Sequence, residues 1–212
     1  MRLHRDTRIA GDKTVGDWSA ARRRLSRSKN PQLWTDAFGD FFLARLNSRY
    51  FEPVGALENM PEKAGEGFAI VTLHCSLIEF LASTLVGKSY RYRRKGDPPL
   101  GADEYSDSGN MFVGFLEANE PFKTMFARAG TAREFYACVR CGLLHEARTK
   151  GRWRIQVDPS AKQAIDTSVP AIYRNRLQPA FNDFVKSYGR QLTTNRSLQE
   201  AFIRKFDSLC EG

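Results

Sequence analysis

Nowhere in these 212 residues does a glycine-rich loop follow a strand pattern, which argues against a phosphate-loop nucleotide-hydrolysing motor. A nucleophile elbow and a serine–histidine–acid pattern are missing too, so the common hydrolase chemistries have no carrier. There is no internal repeat and no low-complexity tract. Cysteine is scarce: Cys138 and Cys141 have the gap of a zinc or redox pair, but no second pair follows. His74 and Cys75 would have to complete four ligands, and zinc ribbons hold their cysteines in turns, whereas these two sit on a helical pattern. They read as core thiols, and no metal site or cofactor is expected. Without a hydrophobic signal sequence at the N-terminus, four cysteines fit a reducing compartment, and a cytoplasmic location is expected.

What is present is a chain rich enough in apolar residues to fold. It is 42% hydrophobic and 12% aromatic, and 33 basic residues against 24 acidic give a net charge of +9. That excess favours contact with a polyanion such as RNA or DNA. Much of it lies at the N-terminus, where residues 1–30 hold nine Lys and Arg against three Asp. This stretch reads as a basic arm, either a solvated terminus or a grip on phosphates. Ala20 to Ser28 is expected to form a short helix anchored by Trp18 and Leu25.

Residues 31–212 then read as one mostly α domain, with a C-terminal extension from about 151. Asn30 and Pro31 are an N-cap and a first-turn proline. Trp34, Phe38, Phe41 and Phe42 recur on one face, extended by Leu46 and Tyr50, and Pro53 is expected to end this helix. Arg45 and Arg49 form a ridge on its other side, either a solvated face or the path of an RNA strand. Residues 68–86 are long enough to span a bilayer, but His74 and Glu79 fall in the middle, so a buried central helix is the better reading and no membrane is expected. His74 reads as a hydrogen-bonded core histidine. In the irregular stretch 88–110, Tyr90 and Tyr92 alternate with Arg91, Arg93, Arg94 and Lys95, a combination that can stack on bases while neutralising phosphates, or simply a solvated basic loop. A helical pattern resumes through residues 110–127, interrupted near Pro121.

Beyond residue 151, Trp153, Ile155 and Val157 alternate with polar residues as a short strand, expected to form an edge hairpin with Ala171 to Tyr173. Two further helices are expected at about Pro179–Tyr188 and Leu198–Leu209, the second opened by Ser197 and Glu200 as a capping box.

The organising stretch is Thr131 to Lys150. Thr131 and Glu134 are spaced as a capping box, Gly130 breaks the chain before them, and Gly151 is placed to close the helix. Arg148 and Lys150 suit the helix dipole at its end. Ala132, Phe135, Cys138, Val139, Gly142 and Leu143 share one face. Ala137, Cys141 and Leu144 form a small-residue strip opposite, bordered by Arg140 and His145. Those two lie about 140° apart around a straight helix, so one copy cannot easily bring both to a single atom. Two copies crossing about a two-fold axis can.

An arginine, four residues and a histidine near the end of a helix resembles the motif of the HEPN superfamily, the higher-eukaryote and prokaryote nucleotide-binding helical domains. The run VRCGLLHEARTKGRWRI is also similar to uncharacterised bacterial HEPN-like proteins, and the likeness extends from about Phe41 through Ile155, roughly half the chain. Many members carry a polar residue after the arginine; here it is Cys141. The resemblance implies a HEPN-like helical bundle, a homodimer through the 131–150 helix, and a metal-independent endoribonuclease of a toxin or antiviral defence system with a possible cognate antitoxin. It implies that the RNA's own 2′-hydroxyl attacks the adjacent phosphate, leaving 2′,3′-cyclic phosphate ends. Arg140 and His145 would be catalytic, and Glu79, on a helix that lies near the motif helix in such folds, would hold Arg140 or else satisfy some other donor. Arg45, Arg49, Tyr90, Arg91, Tyr92, Arg93, Arg94 and Arg148 are the candidate RNA contacts. The rival expectation is a non-catalytic helical dimer that binds RNA or a partner protein; a DNA-binding regulator is a third.

Overall fold

A computed structural model of the chain describes residues 3–26, 30–62 and 64–211. The protein is mostly helical with a few short strands. In order come β1 (Arg8–Ala10), β2 (Lys13–Thr14) and α1 (Val15–Leu25). A helical run over 31–58 follows, in which α2 (Pro31–Ala37), α3 (Ala44–Leu46) and α4 (Glu52–Glu58) alternate with wide π turns at Phe38–Leu43 and Asn47–Phe51. Next are α5 (Glu66–Val86), β3 (Ser89–Tyr90), β4 (Glu104–Tyr105), α6 (Ser108–Ala118) and α7 (Phe122–Met125). The motif helix consists of α8 (Thr131–Phe135), a π turn at Tyr136–Arg140 and α9 (Cys141–Glu146). β5 (Arg154–Gln156), β6 (Ile165–Asp166), β7 (Ala171–Tyr173), α10 (Arg174–Leu192) and α11 (Arg196–Ser208) complete the chain.

The chain divides into two compact units, each assembled from separated segments, rather than at residue 30. The first comprises Met1–Glu52, Ser83–Ser106 and Ser187–Gly212. Its core is an aromatic cluster: Trp18 lies 5.2 Å from both Phe41 and Phe206, and Phe202 lies 4.6 Å from Phe206. The Trp18 indole N–H donates to Asp207 Oδ1 at 2.8 Å, so the burial leaves no orphan donor.

The expected basic arm is therefore corrected over its described residues. β1 pairs antiparallel with β2, and Ile9, Ala10, Val15, Trp18 and Leu25 are buried. α1 begins five residues before Ala20 because Thr14 and Asp17 form a capping box: the Asp17 N–H donates to Thr14 Oγ1 at 3.2 Å and the Thr14 N–H to Asp17 Oδ2 at 2.8 Å. Those bonds hold the Asp17 carboxyl below its ordinary pKa. The arginines that suggested an arm lie on the outer side of α1, where Arg23 and Arg24 are exposed and Arg22 pairs with Asp207 at 3.1 Å. Arg2, Arg27, Ser28 and Lys29 lie outside the described residues.

At the end of α5, Gly87 has φ +67°, and an added Cβ would sit 2.6 Å from the Ala201 carbonyl oxygen. α11 approaches that closely because its cations answer the orphan carbonyls of a helix end. The Arg204 guanidinium donates to the Val86 carbonyl at 3.1 Å, and buried Lys205 donates to Ser83 Oγ at 2.7 Å and the Lys88 carbonyl at 3.0 Å. α11 itself is capped by Asn195, whose side chain accepts from the Leu198 N–H at 3.2 Å, not by Ser197. Glu200 instead pairs with Arg196 at 2.9 Å.

The second unit comprises Pro53–Ala82 and Asp107–Lys186. Its core is a separate aromatic cluster in which Phe135 meets Phe126 at 5.4 Å and Trp153 at 5.2 Å, while Phe181 meets Phe122 at 4.9 Å. α5 buries Ile70, Val71, His74, Leu77, Ile78 and Leu81 at helical spacing. It is the one helix among the described residues apolar and long enough to cross a membrane, and 56% of its apolar window is covered by the fold. The three-stranded sheet has the order β5-β7-β6. β5 runs parallel to β7, so the expected hairpin of β5 with β7 is not made; β6 is the antiparallel partner.

Two prolines expected at helix boundaries lie inside helices. The helical run passes Pro53 and continues to Glu58, because the π turn at Asn47–Phe51 absorbs the missing donor and the ring. α10 starts at Arg174 and carries Pro179 within it, on an exposed side.

Candidate functional site

The motif helix starts one residue earlier in geometry than its sequence signature implies. Gly130, at φ +82°, is the N-cap, and Thr131 is the first helical residue. Its hydroxyl donates back to the Arg128 carbonyl at 2.7 Å, so the expected capping box with Glu134 is not formed. The helix ends at Ala147 in a left-handed conformation (φ +52°), before the expected Gly151. From there the chain folds back: the Lys150 N–H donates to the Cys138 carbonyl at 2.8 Å. This return passes so close that a Cβ on Gly142 would lie 2.6 Å from the Arg148 carbonyl oxygen.

Along that helix Ala132, Phe135, Val139, Gly142 and Leu143 are buried and Cys138 half-buried, as the core stripe requires. On the opposite strip Ala137 is exposed, Cys141 half-buried, and Leu144 keeps 56% of its surface in solvent.

Arg140 points to α5. Its guanidinium donates to Glu79 Oε2 at 3.4 Å, and the Ser108 hydroxyl donates to the other oxygen, Oε1, at 2.6 Å. The Tyr136 ring lies 5.5 Å from the guanidinium carbon, so the cation is held between a carboxylate and an aromatic face. Both partners of the ion pair are sheltered, with 23% of the Arg140 and 19% of the Glu79 side chain exposed. Burial raises the Tyr136 phenol above its ordinary pKa against the pull of Arg140. Burial likewise pushes the Cys75 thiol up to about 12, which leaves it an inert core residue. Cys138 is also raised, by burial and then by Glu134.

His145 is exposed on the last turn and makes no hydrogen bond or ion pair among the described residues. Nothing joins it to Arg140 within one chain. Arg148, one residue past the helix cap, is exposed and paired with Glu146 at 3.1 Å, and Lys150 reaches the same carboxylate at 2.6 Å. These cations hold the Glu146 carboxyl below its ordinary pKa.

His74 is inward-facing. It is 2% exposed, stacked on Phe181 at 4.9 Å, and its Nδ1 lies 2.9 Å from the Ile70 carbonyl. That acceptor requires the proton on Nδ1, so Nε2 is the bare nitrogen; it faces the Gln178 side chain without a hydrogen bond of ordinary geometry. Burial lowers its pKa to about 4.

The candidate RNA contacts of the first unit separate into two kinds. Arg45 is not on an outer ridge: its guanidinium donates to the Ile9 carbonyl and ties β1 down, and burial lowers its pKa to about 10. Its role is structural, and only Arg49 of that pair is exposed. Arg91 is similarly engaged, with Glu104 at 3.0 Å and the carbonyls of Pro98 and Pro99 at 2.7 and 2.8 Å. Tyr90, Tyr92, Arg93 and Arg94 stay exposed.

No family model matches this chain, and no match is found among curated proteins or among solved structures. Functional inference therefore rests on the residues themselves.

Two members of the Arg140 cluster were missed in the sequence. Tyr136 was accessible, being one turn before Arg140 on the same helix. Ser108 was not, because its approach to Glu79 depends on how α6 leaves the loop before it.

Proposed function

We propose that this protein is a metal-independent endoribonuclease of HEPN type that acts as a homodimer through the motif helix. The observation that carries the reading is the division of labour on that helix. Arg140 is steered by Glu79 through one long N–H contact that leaves its remaining donors uncommitted among the described residues, while His145 stands exposed and unpartnered at the helix end. The exposed strip of Ala137 and Leu144 between them is where a second copy would cross. Crossing about a two-fold axis brings each Arg140 toward the other copy's His145.

In that cleft the 2′-oxygen of RNA attacks the adjacent phosphorus, the bond from phosphorus to the 5′-oxygen breaks, and a 2′,3′-cyclic phosphate and a 5′-hydroxyl result. Imidazole suits both proton transfers because its charge changes near neutral pH: one His145 takes the 2′-hydroxyl proton and the other supplies a proton to the leaving oxygen. A guanidinium fork neutralises the charge that builds on the phosphorane oxygens.

Purified wild-type, His145→Ala and Arg140→Ala proteins incubated with total RNA in EDTA test this by end-group analysis. Cleavage by wild type alone, with cyclic phosphate ends, is the expected result. Full activity of His145→Ala overturns it. A second reading, a dimer that binds RNA without cutting it, is favoured by one feature: the carboxylate and ring around Arg140 also form a self-sufficient structural clamp. Intact RNA in every sample, with salt-sensitive binding, would select that reading.

A further inference from the structure

The stretch Tyr90–Lys95 in the first unit is built as a braced platform. The Ser89 N–H donates to the Asp103 carbonyl and the Arg91 N–H to the Tyr105 carbonyl, both at 2.9 Å, so β3 lies parallel against β4 with Tyr90 beside Tyr105. Tyr105 is buried and its ring supports Tyr90 edge-on at 5.6 Å. Arg91 turns inward onto Glu104 and the Pro98 and Pro99 carbonyls. Asp103 is in turn held by Arg204 of α11 at 3.2 Å. A tight turn closes the far end, where the Arg94 N–H donates to Asp97 Oδ2 at 2.7 Å and the Asp97 N–H to the Arg94 carbonyl at 3.1 Å.

This bracing decides what faces outward. With Arg91 turned inward, Tyr90 at the end of β3 and Tyr92 two residues on are both left exposed. Tyr90 is 50% and Tyr92 68% exposed, although a ring of this size ordinarily gains by burial. Arg93, Arg94 and Lys95 follow at once, all exposed and free of ion pairs among the described residues. Two exposed aromatic rings beside three cations free of ion pairs are complementary to a polyanion that can offer unpaired π faces. A duplex hides its base faces within the stack; a single strand does not.

We propose that Tyr90 and Tyr92 stack on bases of single-stranded RNA while Arg93, Arg94 and Lys95 neutralise its phosphates, with Arg91 as the positioning residue that braces the platform. This deepens the endoribonuclease reading by naming the form of the substrate, and rests on that reading for the strand being RNA.

Fluorescence anisotropy with a labelled 12-nucleotide RNA, the same sequence as DNA, and the RNA annealed to its complement tests the assignment. Tyr92→Ala is the cleanest variant, since its ring touches no other ring among the described residues. Single-stranded RNA should bind at least tenfold tighter than the duplex and no more weakly than the DNA strand. Tyr92→Ala should weaken it roughly five- to a hundredfold, the range found for loss of one stacked base, while Tyr92→Phe retains it. Arg93→Ala with Arg94→Ala should lower the slope of log affinity against log salt by about 1.4, and Tyr92→Ala should leave that slope unchanged. Equal affinity for duplex, preference for DNA, or wild-type binding by Tyr92→Ala overturns the proposal. The two ideas separate: a cutting His145→Ala protein refutes the catalytic assignment alone, and a Tyr92→Ala protein with unchanged binding refutes the platform alone.

Discussion

Breaking the clamp between Glu79 and Arg140 should cost stability in a way that only a coupled pair can. The two side chains are sheltered but not sealed, so the value lies between the 0–1 kcal/mol of a surface pair and the roughly 3–5 kcal/mol lost when one partner of a fully buried pair is removed. The contact is a single one at 3.4 Å rather than a bidentate fork, which places it in the lower half of that interval. Glu79→Gln keeps an acceptor for the Ser108 hydroxyl and removes only the charge, so about 1–2 kcal/mol is expected. Arg140→Met preserves much of the packing on Tyr136 and strands the carboxylate, for a similar loss. If each loss is mostly the shared interaction, the double variant should be about 1 kcal/mol more stable than the two single losses predict. Urea denaturation of the four proteins at neutral pH measures this cycle, and the coupling should survive 0.5 M salt because the pair is sheltered. Losses that add within about 0.3 kcal/mol would refute the clamp.

Two further outcomes follow from burial. His74 has a pKa of about 4 in the fold against about 6.5 in an unfolded chain, so the unfolded state binds the extra proton first. Stability from this site should be complete above pH 6.5 and decline as pH falls toward 4, by roughly 3 kcal/mol in all; His74→Gln should lack this decline, so the wild-type minus variant difference should fall through that window, and parallel pH profiles would refute the assignment. Gly142→Ala should destabilise by about 1–2 kcal/mol, since forcing the return chain off the added methyl outweighs the ~1 kcal/mol helix propensity gained. A higher melting temperature for the alanine variant would overturn the close approach described here.

Periodicity made much of this molecule readable. The face carrying Trp34, Phe41, Phe42 and Leu46 and the stripe carrying Phe135, Val139 and Leu143 are buried as their spacing requires. The approach of Glu79 to Arg140 was also foreseeable, through an implied neighbourhood of two helices. What escaped depends on information a linear pattern does not hold. Charge counted along residues 1–30 cannot tell that Trp18 meets Phe206, because that partner lies at the far end of the chain. Arg45 and Arg49 look alike at i and i+4, but the π turns rotate the helix and β1 offers an acceptor to only one of them. The cap signatures at Thr131 and Ser197 failed because competing caps, Gly130 and Asn195, sat one and two residues upstream. Pro53 misled because a wide turn precedes it, and Pro179 because it sits inside α10 on an exposed side.

The segments of the two units alternate along the chain, which has a consequence for how the protein can be made. The first unit needs Ser187–Gly212 to finish the cluster around Trp18, so during synthesis its opening segment must wait, with its tryptophans uncovered, while the whole second unit emerges. A ribosome that stalls before residue 187 releases a chain whose later half can condense while its earlier half remains sticky. Any single cut between residues 53 and 186 divides the first unit, and a separable first unit would require joining three distant pieces by new linkers.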